Sequence, residues 1–348
     1  MIRYGKSNAE YMRLKSVFYD PEQNRRWAEL AEKVSSKYRE QPRREACVAC
    51  EKPLGEPLFT LRHVDYCVCE RCGHLNGVFE DTLEFAEYLY KESAEGQTLD
   101  VYSDQDLEAY RHRVASIYLP KAQFMCDAIR DDGTDPGALS FADLGAGSGH
   151  FVMAMRQCGL DNAVGYDATP ELVEQTNRMH GAEILRHNEI DELNRIAASA
   201  EVDVITMIFA LEHVRGLREF LGAVRSNPRL RYFFFAVPVF NPSVFLEVVT
   251  PEVMPRILGL GHTHLFTDRS LELLCREFKL KRSAEWWFGA NAFDLHRTVS
   301  VQLQALAPSP AAPEVWNEMM LPMIDALQLV FDHQKLSSEI HLLTSIER

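Results

Sequence analysis

Residues 141–151 read Phe-Ala-Asp-Leu-Gly-Ala-Gly-Ser-Gly-His-Phe, and this stretch decides the fold. Phe141 to Leu144 is a short apolar run with strand character that stops at Gly145. Three glycines then alternate with Ala146 and Ser148, and a helical pattern starts near His150. Glycines at a strand-to-helix turn allow tight geometry and let a ligand approach the main chain closely. The spacing is G-x-G-x-G, and His150 stands where a dinucleotide fingerprint has its third glycine. The loop therefore argues against a pyrophosphate ligand. Asp143, two residues before the first glycine, is placed to meet a cationic or amine-bearing one.

Outward from the loop comes Val164-Gly165-Tyr166-Asp167. An acid at the end of a second strand can accept both hydroxyls of a ribose. Further apolar runs predict strands at 140–144, 163–167, 182–185, 202–208, 231–237 and 279–285, with helices between most of them. That alternation predicts an α/β fold, a mostly parallel Rossmann-like sheet covered by helices on both faces. The turn cluster Asp131 to Gly137 is a boundary. The expected units are an N-terminal helical segment (1–44), a small metal-stapled module (45–80), a helical linker or lid (81–137), the ligand-binding α/β domain (138–298) and C-terminal helices (299–348). Trp27, Leu30, Ala31 and Val34 lie at helical spacing within 8–40. So do Leu83, Phe85, Ala86, Leu89 and Tyr90, and then Val114, Ile117, Tyr118 and Phe124. An apolar stripe from Trp316 through Ile324 to Phe331 predicts a helix over 314–345.

The formal charge of −14 over 348 residues repels phosphate backbones and disfavours nucleic acid as a partner. No apolar run approaches the roughly 20 residues that span a bilayer. Met1 to Met12 lacks the apolar core of a signal peptide, so the expected location is cytoplasmic. Five of the eight cysteines fall between Cys47 and Cys72. In a reducing compartment such crowding reads as metal binding. Cys47-x2-Cys50 and Cys69-x2-Cys72, with 18 residues between them, have zinc-ribbon spacing, and a closed four-thiolate site is structural. Cys67, His63 and His74 are competing ligands nearby. Cys126, Cys158 and Cys275 read as buried apolar residues.

The run 202–208 is followed by Phe209-Ala210-Leu211-Glu212-His213-Val214. Ligands of such sheets lie beyond the carboxyl ends of the strands, which brings Glu212 and His213 to the site. Gly261-His262-Thr263-His264-Leu265-Phe266-Thr267 offers two more histidines, and Thr267 or Asp268 reads as a helix N-cap. Glu285-Trp286-Trp287-Phe288-Gly289 is an aromatic wall, for a ligand face or for the core.

These motifs, in this order over roughly 138–285, resemble the class I S-adenosylmethionine-dependent methyltransferases. The resemblance implies that Asp143, Gly145, Gly147 and Gly149 line the methionine part of the cofactor. It implies that Asp167 holds the ribose with Ala168 beside it, and that Asn188 or Glu189 meets the adenine amine. Methyl transfer is an in-line displacement at a sulfonium carbon, so the enzyme supplies alignment and, for an acceptor bearing a proton, a base. His213 suits that base and Glu212 an orienting role, while His264 and His262 are expected at the acceptor site. The stretch lacks the Asn/Asp-Pro-Pro-aromatic run of amine methyltransferases. Phe209 stands where ubiquinone-type O-methyltransferases carry the first Glu of a metal-holding Glu-x-x-Glu-His.

The cysteine module together with Leu211-Glu212-His213-Val214 is similar to sugar C-methyltransferases of deoxysugar and polysaccharide pathways. A ribbon also precedes some ribosomal RNA guanine methyltransferases. The expectation is a small-molecule methyltransferase acting at carbon or oxygen of a nucleotide-linked sugar or related metabolite, with S-adenosylmethionine and structural zinc. An RNA methyltransferase with the ribbon as clamp and a non-catalytic adaptor are the alternatives. The sequence sets no oligomeric state.

Overall fold

The Phe141–Leu144 run becomes an inner strand in the computed structural model, which describes residues 1–89 and 107–348. In chain order the strands are β1 Ile2–Tyr4, β2 Phe59–Leu61, β3 Val64–Val68, β4 Leu75–Gly77, β5 Phe141–Leu144 and β6 Ala163–Asp167. There follow β7 Leu185–His187, β8 Val204–Ile208, β9 Tyr232–Pro238, β10 His264–Leu265, β11 Leu280–Phe288 and β12 Glu339–Ile346. Eight form one sheet in the order β1-β11-β12-β9-β8-β5-β6-β7. β9, β8, β5, β6 and β7 pair in parallel, and β1 is parallel to β11. β12 runs antiparallel to both of its neighbours.

The expected α/β architecture follows from burial on both faces. Every residue of β5 and β9 is buried, which explains why both read as continuous apolar runs rather than alternating ones. Side chains of β9 alternate between two cores. Phe233 and Phe235 join Leu144, Met207 and Leu342 on one face, and Tyr232 and Phe234 join Phe141, Phe151 and Trp286 on the other. The aromatic wall belongs to this core, since Trp286 and Trp287 are fully buried within β11.

Three expectations are corrected. Helix over 314–345 gives way to helices Ala312–Met320 and Ile324–His333 and then to β12. Lys335 adopts φ +55°, which ends the helix, and Ile340 to Thr344 are buried between β9 and β11. A short apolar run buried on two sides has no periodicity to separate it from helix. The 299–348 segment is therefore helices plus one central strand. The third strand starts at Leu185 instead of 182, because Gly181 closes the preceding helix with φ +61° and residues 182–184 lead out of it. The 8–40 helix divides at Asp20, whose carboxylate accepts from Gln23 N at 2.7 Å and caps Pro21–Arg39.

The cysteine module is a second, antiparallel sheet, β10-β4-β3-β2. Its fourth strand, β10, comes from the α/β domain, so the module is built into the molecule rather than tethered to it. Arg218 fastens it further, donating to Ala49 O at 2.9 Å while pairing with Glu51 and Glu277. Helices Leu83–Glu87, Leu107–Arg113 and Leu119–Asp131 occupy the expected linker. Tyr90 and the rest of 90–106 lie outside the described residues. Among the described residues no helix is long and apolar enough to cross a membrane.

Candidate functional site

Gly145, Gly147 and Gly149 all take positive φ (71°, 53° and 71°) between β5 and helix His150–Gln157. At Gly145 the need is also steric, because a Cβ there would lie 2.6 Å from the Ala210 Cβ. This contact presses the loop against the segment that follows β8. Asp143 is buried beneath the loop and accepts from Thr206 Oγ1 at 2.6 Å. Burial pushes its carboxyl up to about 7, with nearby Asp167 adding to the rise. Asp167 ends β6, and its carboxylate accepts from Gly147 N at 2.7 Å and Thr169 N at 2.9 Å. It thus ties the glycine loop to the strand where the ribose is expected, with half-buried Ala168 next in the chain.

Asn188 and Glu189 separate clearly. Glu189 is exposed and engaged in a capping box with Glu192. Asn188 is buried, its N–H donates to Asp167 O at 3.1 Å, and its Oδ1 meets no donor. An orphaned acceptor beside Asp167 is what an adenine amine would satisfy. The glycine loop, Asp167 and this free Oδ1 fit S-adenosylmethionine.

Beyond β8, Phe209 has φ +56°, and Leu211–His213 forms a single 3-10 turn. The turn places Glu212 fully inside, with neither carboxylate oxygen hydrogen-bonded. His213 Nε2 lies 4.0 Å and His262 Nε2 3.6 Å from Glu212 Oε1, and the two imidazoles stack with centroids 5.1 Å apart. Burial pushes the Glu212 carboxyl up to about 8 and the His213 imidazole down to about 3, His262 adding to the latter. His262 is lowered too, chiefly by burial. Its Nδ1 meets Ile257 O at 2.7 Å. The chain around Ile257 is held in turn by Glu247, which accepts from the N–H groups of Arg256, Ile257 and Leu258. A small cavity opens beside Glu212 and His213, walled by Asp81, Phe85, Arg215 and Gly261.

His264 does not join this cluster. It lies in β10, buried, with Nδ1 2.9 Å from His74 Nε2, and His74 Nδ1 is 3.3 Å from Ser270 Oγ. The pair bolts the cysteine module to helix Asp268–Glu277, which Thr267 caps. His74 is thereby engaged away from the thiols, and His63 sits exposed in the β2–β3 turn.

Cys47, Cys50, Cys69 and Cys72 converge with all sulfurs within 4.8 Å of one another. Cys47 Sγ–Cys72 Sγ is 3.6 Å and Cys50 Sγ–Cys69 Sγ 3.4 Å. These are far from a disulfide and near the roughly 3.8 Å edge of a tetrahedron with Zn–S bonds of about 2.3 Å. The two knuckles match: Glu51 N donates to Cys47 O, and Gly73 N donates to Cys69 O, each from a residue with positive φ. The donor set fits zinc, and Cys67 stays outside it.

Sequence reasoning missed a second buried group of charges. Lys121 Nζ lies 3.6 Å from Glu339 Oε2 and 4.8 Å from the Phe209 ring centroid. His341 Nε2 is 3.4 Å from the same carboxylate. Burial works against the Glu339 anion, but Lys121 and His341 bring its carboxyl down to about 2. Tyr110 and Tyr118 stack on His150 at the glycine loop, and Tyr110 Oη donates to Ser148 O at 2.9 Å. The only sequence signal for either group is a polar residue on the buried face of a helix or strand.

Residues 110–282 match the family model described as a methyltransferase domain. No curated protein matches the chain. Among solved structures it is similar to geranyl diphosphate C-methyltransferase from Streptomyces coelicolor A3(2), at 11% identity and TM-score 0.42, covering 70% of this chain and 86% of that one. Magnesium protoporphyrin IX methyltransferase from Synechocystis PCC 6803 gives 11% identity and TM-score 0.42, covering 57% and 90%. A SAM dependent methyltransferase from Archaeoglobus fulgidus gives 13% and 0.37, covering 64% and 94%. With the glycine loop, the acid ending β6 and the parallel sheet in place, this chain is a class I S-adenosylmethionine-dependent methyltransferase.

Proposed function

We propose that this methyltransferase acts on a small molecule, a nucleotide-linked sugar or a related metabolite, at a carbon or oxygen that loses a proton. The observation that carries the reading is the contact of Gly145 with Ala210. It brings the cofactor loop against the turn bearing Glu212 and His213, so donor and proton-accepting groups share one edge of the sheet. S-adenosylmethionine is held by the glycine loop, by Asp167 at the ribose and by Asn188 at the adenine amine. The acceptor's proton leaves at the Glu212–His213–His262 cluster, where His213 is the base if no ion is present. Zinc in the four cysteines is structural, because four protein ligands leave no open position. The net charge of −14 and the embedding of the cysteine module in the α/β core weigh against a nucleic-acid clamp.

The test is methyl transfer from labelled S-adenosylmethionine to two pools: nucleotide sugars with small phenols, and unmodified ribosomal RNA. Label in the small-molecule pool is expected, and the product shows whether carbon or oxygen was attacked. Label confined to RNA would overturn the reading.

A further inference from the structure

Glu212, His213 and His262 come from two separate segments, and together they form a donor set of two imidazoles and one carboxylate. We infer that these three side chains bind a divalent transition-metal ion, separate from the four-cysteine zinc, and that the ion takes the oxygen of the acceptor.

Geometry is the first ground. One ligand atom from each residue lies within 4.8 Å of the others, with Glu212 Oε1 at 3.6 Å from His262 Nε2 and 4.0 Å from His213 Nε2. Ligands bound at about 2.0–2.2 Å sit roughly 3–3.5 Å from their neighbours around an ion, so a small inward movement closes the site. At 3.6 Å, Glu212 Oε1 and His262 Nε2 make no direct hydrogen bond with each other.

The orphaned carboxylate is the second ground. Glu212 has a side chain 0% exposed and both oxygens without a donor. A buried carboxyl with no hydrogen-bond partner is costly in either protonation state. A cation supplies the missing partner.

The third is the orientation of His262. Its Nδ1 contacts a carbonyl, Ile257 O, at 2.7 Å. A carbonyl only accepts, so Nδ1 carries the proton and Nε2 points a lone pair at Glu212. A lone pair facing an ionised carboxylate is repulsive unless a positive charge lies between. Metal-bound histidines are held in this way, with the outer nitrogen donating to a carbonyl or carboxylate. Gly261, beside His262 in the chain, takes φ +111°, a conformation L side chains rarely adopt.

Mixed nitrogen and oxygen ligands suit Mn, Fe, Co or Zn better than Mg or Ca, whereas the thiolates of the cysteine module select zinc. Three protein ligands leave positions open, and Glu212 and His213 line a small cavity beside the site. The catalytic consequence rests on the proposed function. An acceptor hydroxyl on the ion has a lowered pKa and gives its proton to solvent. Its oxygen then forms a bond to the methyl carbon as the C–S bond breaks and the electron pair stays on sulfur. His213 is then a ligand rather than the base. Phe209, standing where the sequence comparison had asked for a glutamate, is not required, because His262 supplies the third ligand from a distant segment.

The test uses full-length protein with its zinc retained, titrated with Mn²⁺ and followed by the paramagnetic resonance of free ion. Wild type is expected to take up one Mn²⁺. Glu212→Gln and His262→Gln should each weaken uptake at least tenfold while leaving S-adenosylhomocysteine affinity unchanged, which shows that the fold is intact. His63→Gln, on the exposed turn, should bind like wild type. No uptake by wild type at millimolar Mn²⁺, or uptake indifferent to both cluster substitutions, overturns the inference. Mn²⁺ binding without methylation of any small acceptor would support the site and defeat the proposed function. Undiminished methylation by protein holding no ion beyond its zinc would do the reverse.

Discussion

Gly165 touches no ligand, yet its replacement by alanine should damage the cofactor site. A Cβ at 165 would stand 2.4 Å from Leu185 Cδ2, 2.7 Å from Ala146 Cβ and 3.0 Å from Val152 Cγ2. Carbon atoms rest at about 3.5–4.0 Å, so roughly 1 Å must be recovered on two sides. Leu185 can give by rotating its side chain. Ala146 cannot, because its Cβ moves only with the main chain of the glycine loop. Overpacking of this kind costs about 1–3 kcal/mol, which for a chain this large lowers Tm by about 1–4 °C. The strained segment includes Gly147, whose N–H bonds to Asp167, so S-adenosylhomocysteine affinity should fall about tenfold or more. Gly222→Ala is the control. It lies in helix Leu217–Ser226, and its Cβ would meet only Phe278 Cε1, at an ordinary 3.9 Å. There the change should add about 0.5–1 kcal/mol through helix propensity and leave binding untouched. Scanning calorimetry and titration calorimetry on both variants decide the matter. Gly165→Ala with wild-type Tm and affinity would refute the reasoning.

Three shorter predictions follow from neighbouring groups. Asp143 has its folded carboxyl raised to about 7 from 3.8. Its contribution is therefore fully present below pH 4 and is lost as pH rises through 7, so ligand-free Asp143→Asn should gain about 3–5 kcal/mol on wild type between pH 4 and 8. A gap independent of pH, measured by denaturant unfolding, would contradict this. Asn188→Ala should weaken S-adenosylhomocysteine binding about tenfold, the worth of one hydrogen bond, while Glu189→Ala should not; equal effects would return the two residues to parity. Cys72→Ser should strip the zinc seen by elemental analysis and lower Tm, because the four cysteines pack into the same core as Phe266 and Leu271. Full zinc occupancy in that variant would exclude the four-thiolate site.

The parts legible in the sequence were those whose chemistry is local. A strand, three glycines and a helix start must lie together in the chain to make a cofactor turn, and paired cysteines must be close to make a knuckle. Other features depend on contacts between distant segments. The choice between two histidines is one: His262 and His264 differ by two residues, but a loop aims the first at Glu212 while pairing with β4 commits the second to His74. Nothing in the string Gly-His-Thr-His distinguishes them. The Lys121–Glu339 pair joins residues 218 positions apart and leaves no local trace. β12 escaped notice because Ile340, Leu342 and Leu343 extend the apolar stripe of the preceding helix, and only its two neighbours make it a strand.

That position of β12 has a consequence for biosynthesis. β9 and β11 are not neighbours; each meets β12 instead, and β1 hangs on β11. As the chain emerges from the ribosome, β5 to β9 can pair as they appear, but β11 and β1 can pair only with each other and cannot join that sheet until residues 339–346 arrive. The β1–β11 pair must therefore wait for β12 before it is fastened to the rest of the sheet. A nascent chain arrested before residue 339 would hold half a sheet, and this interval is where the protein would need a chaperone.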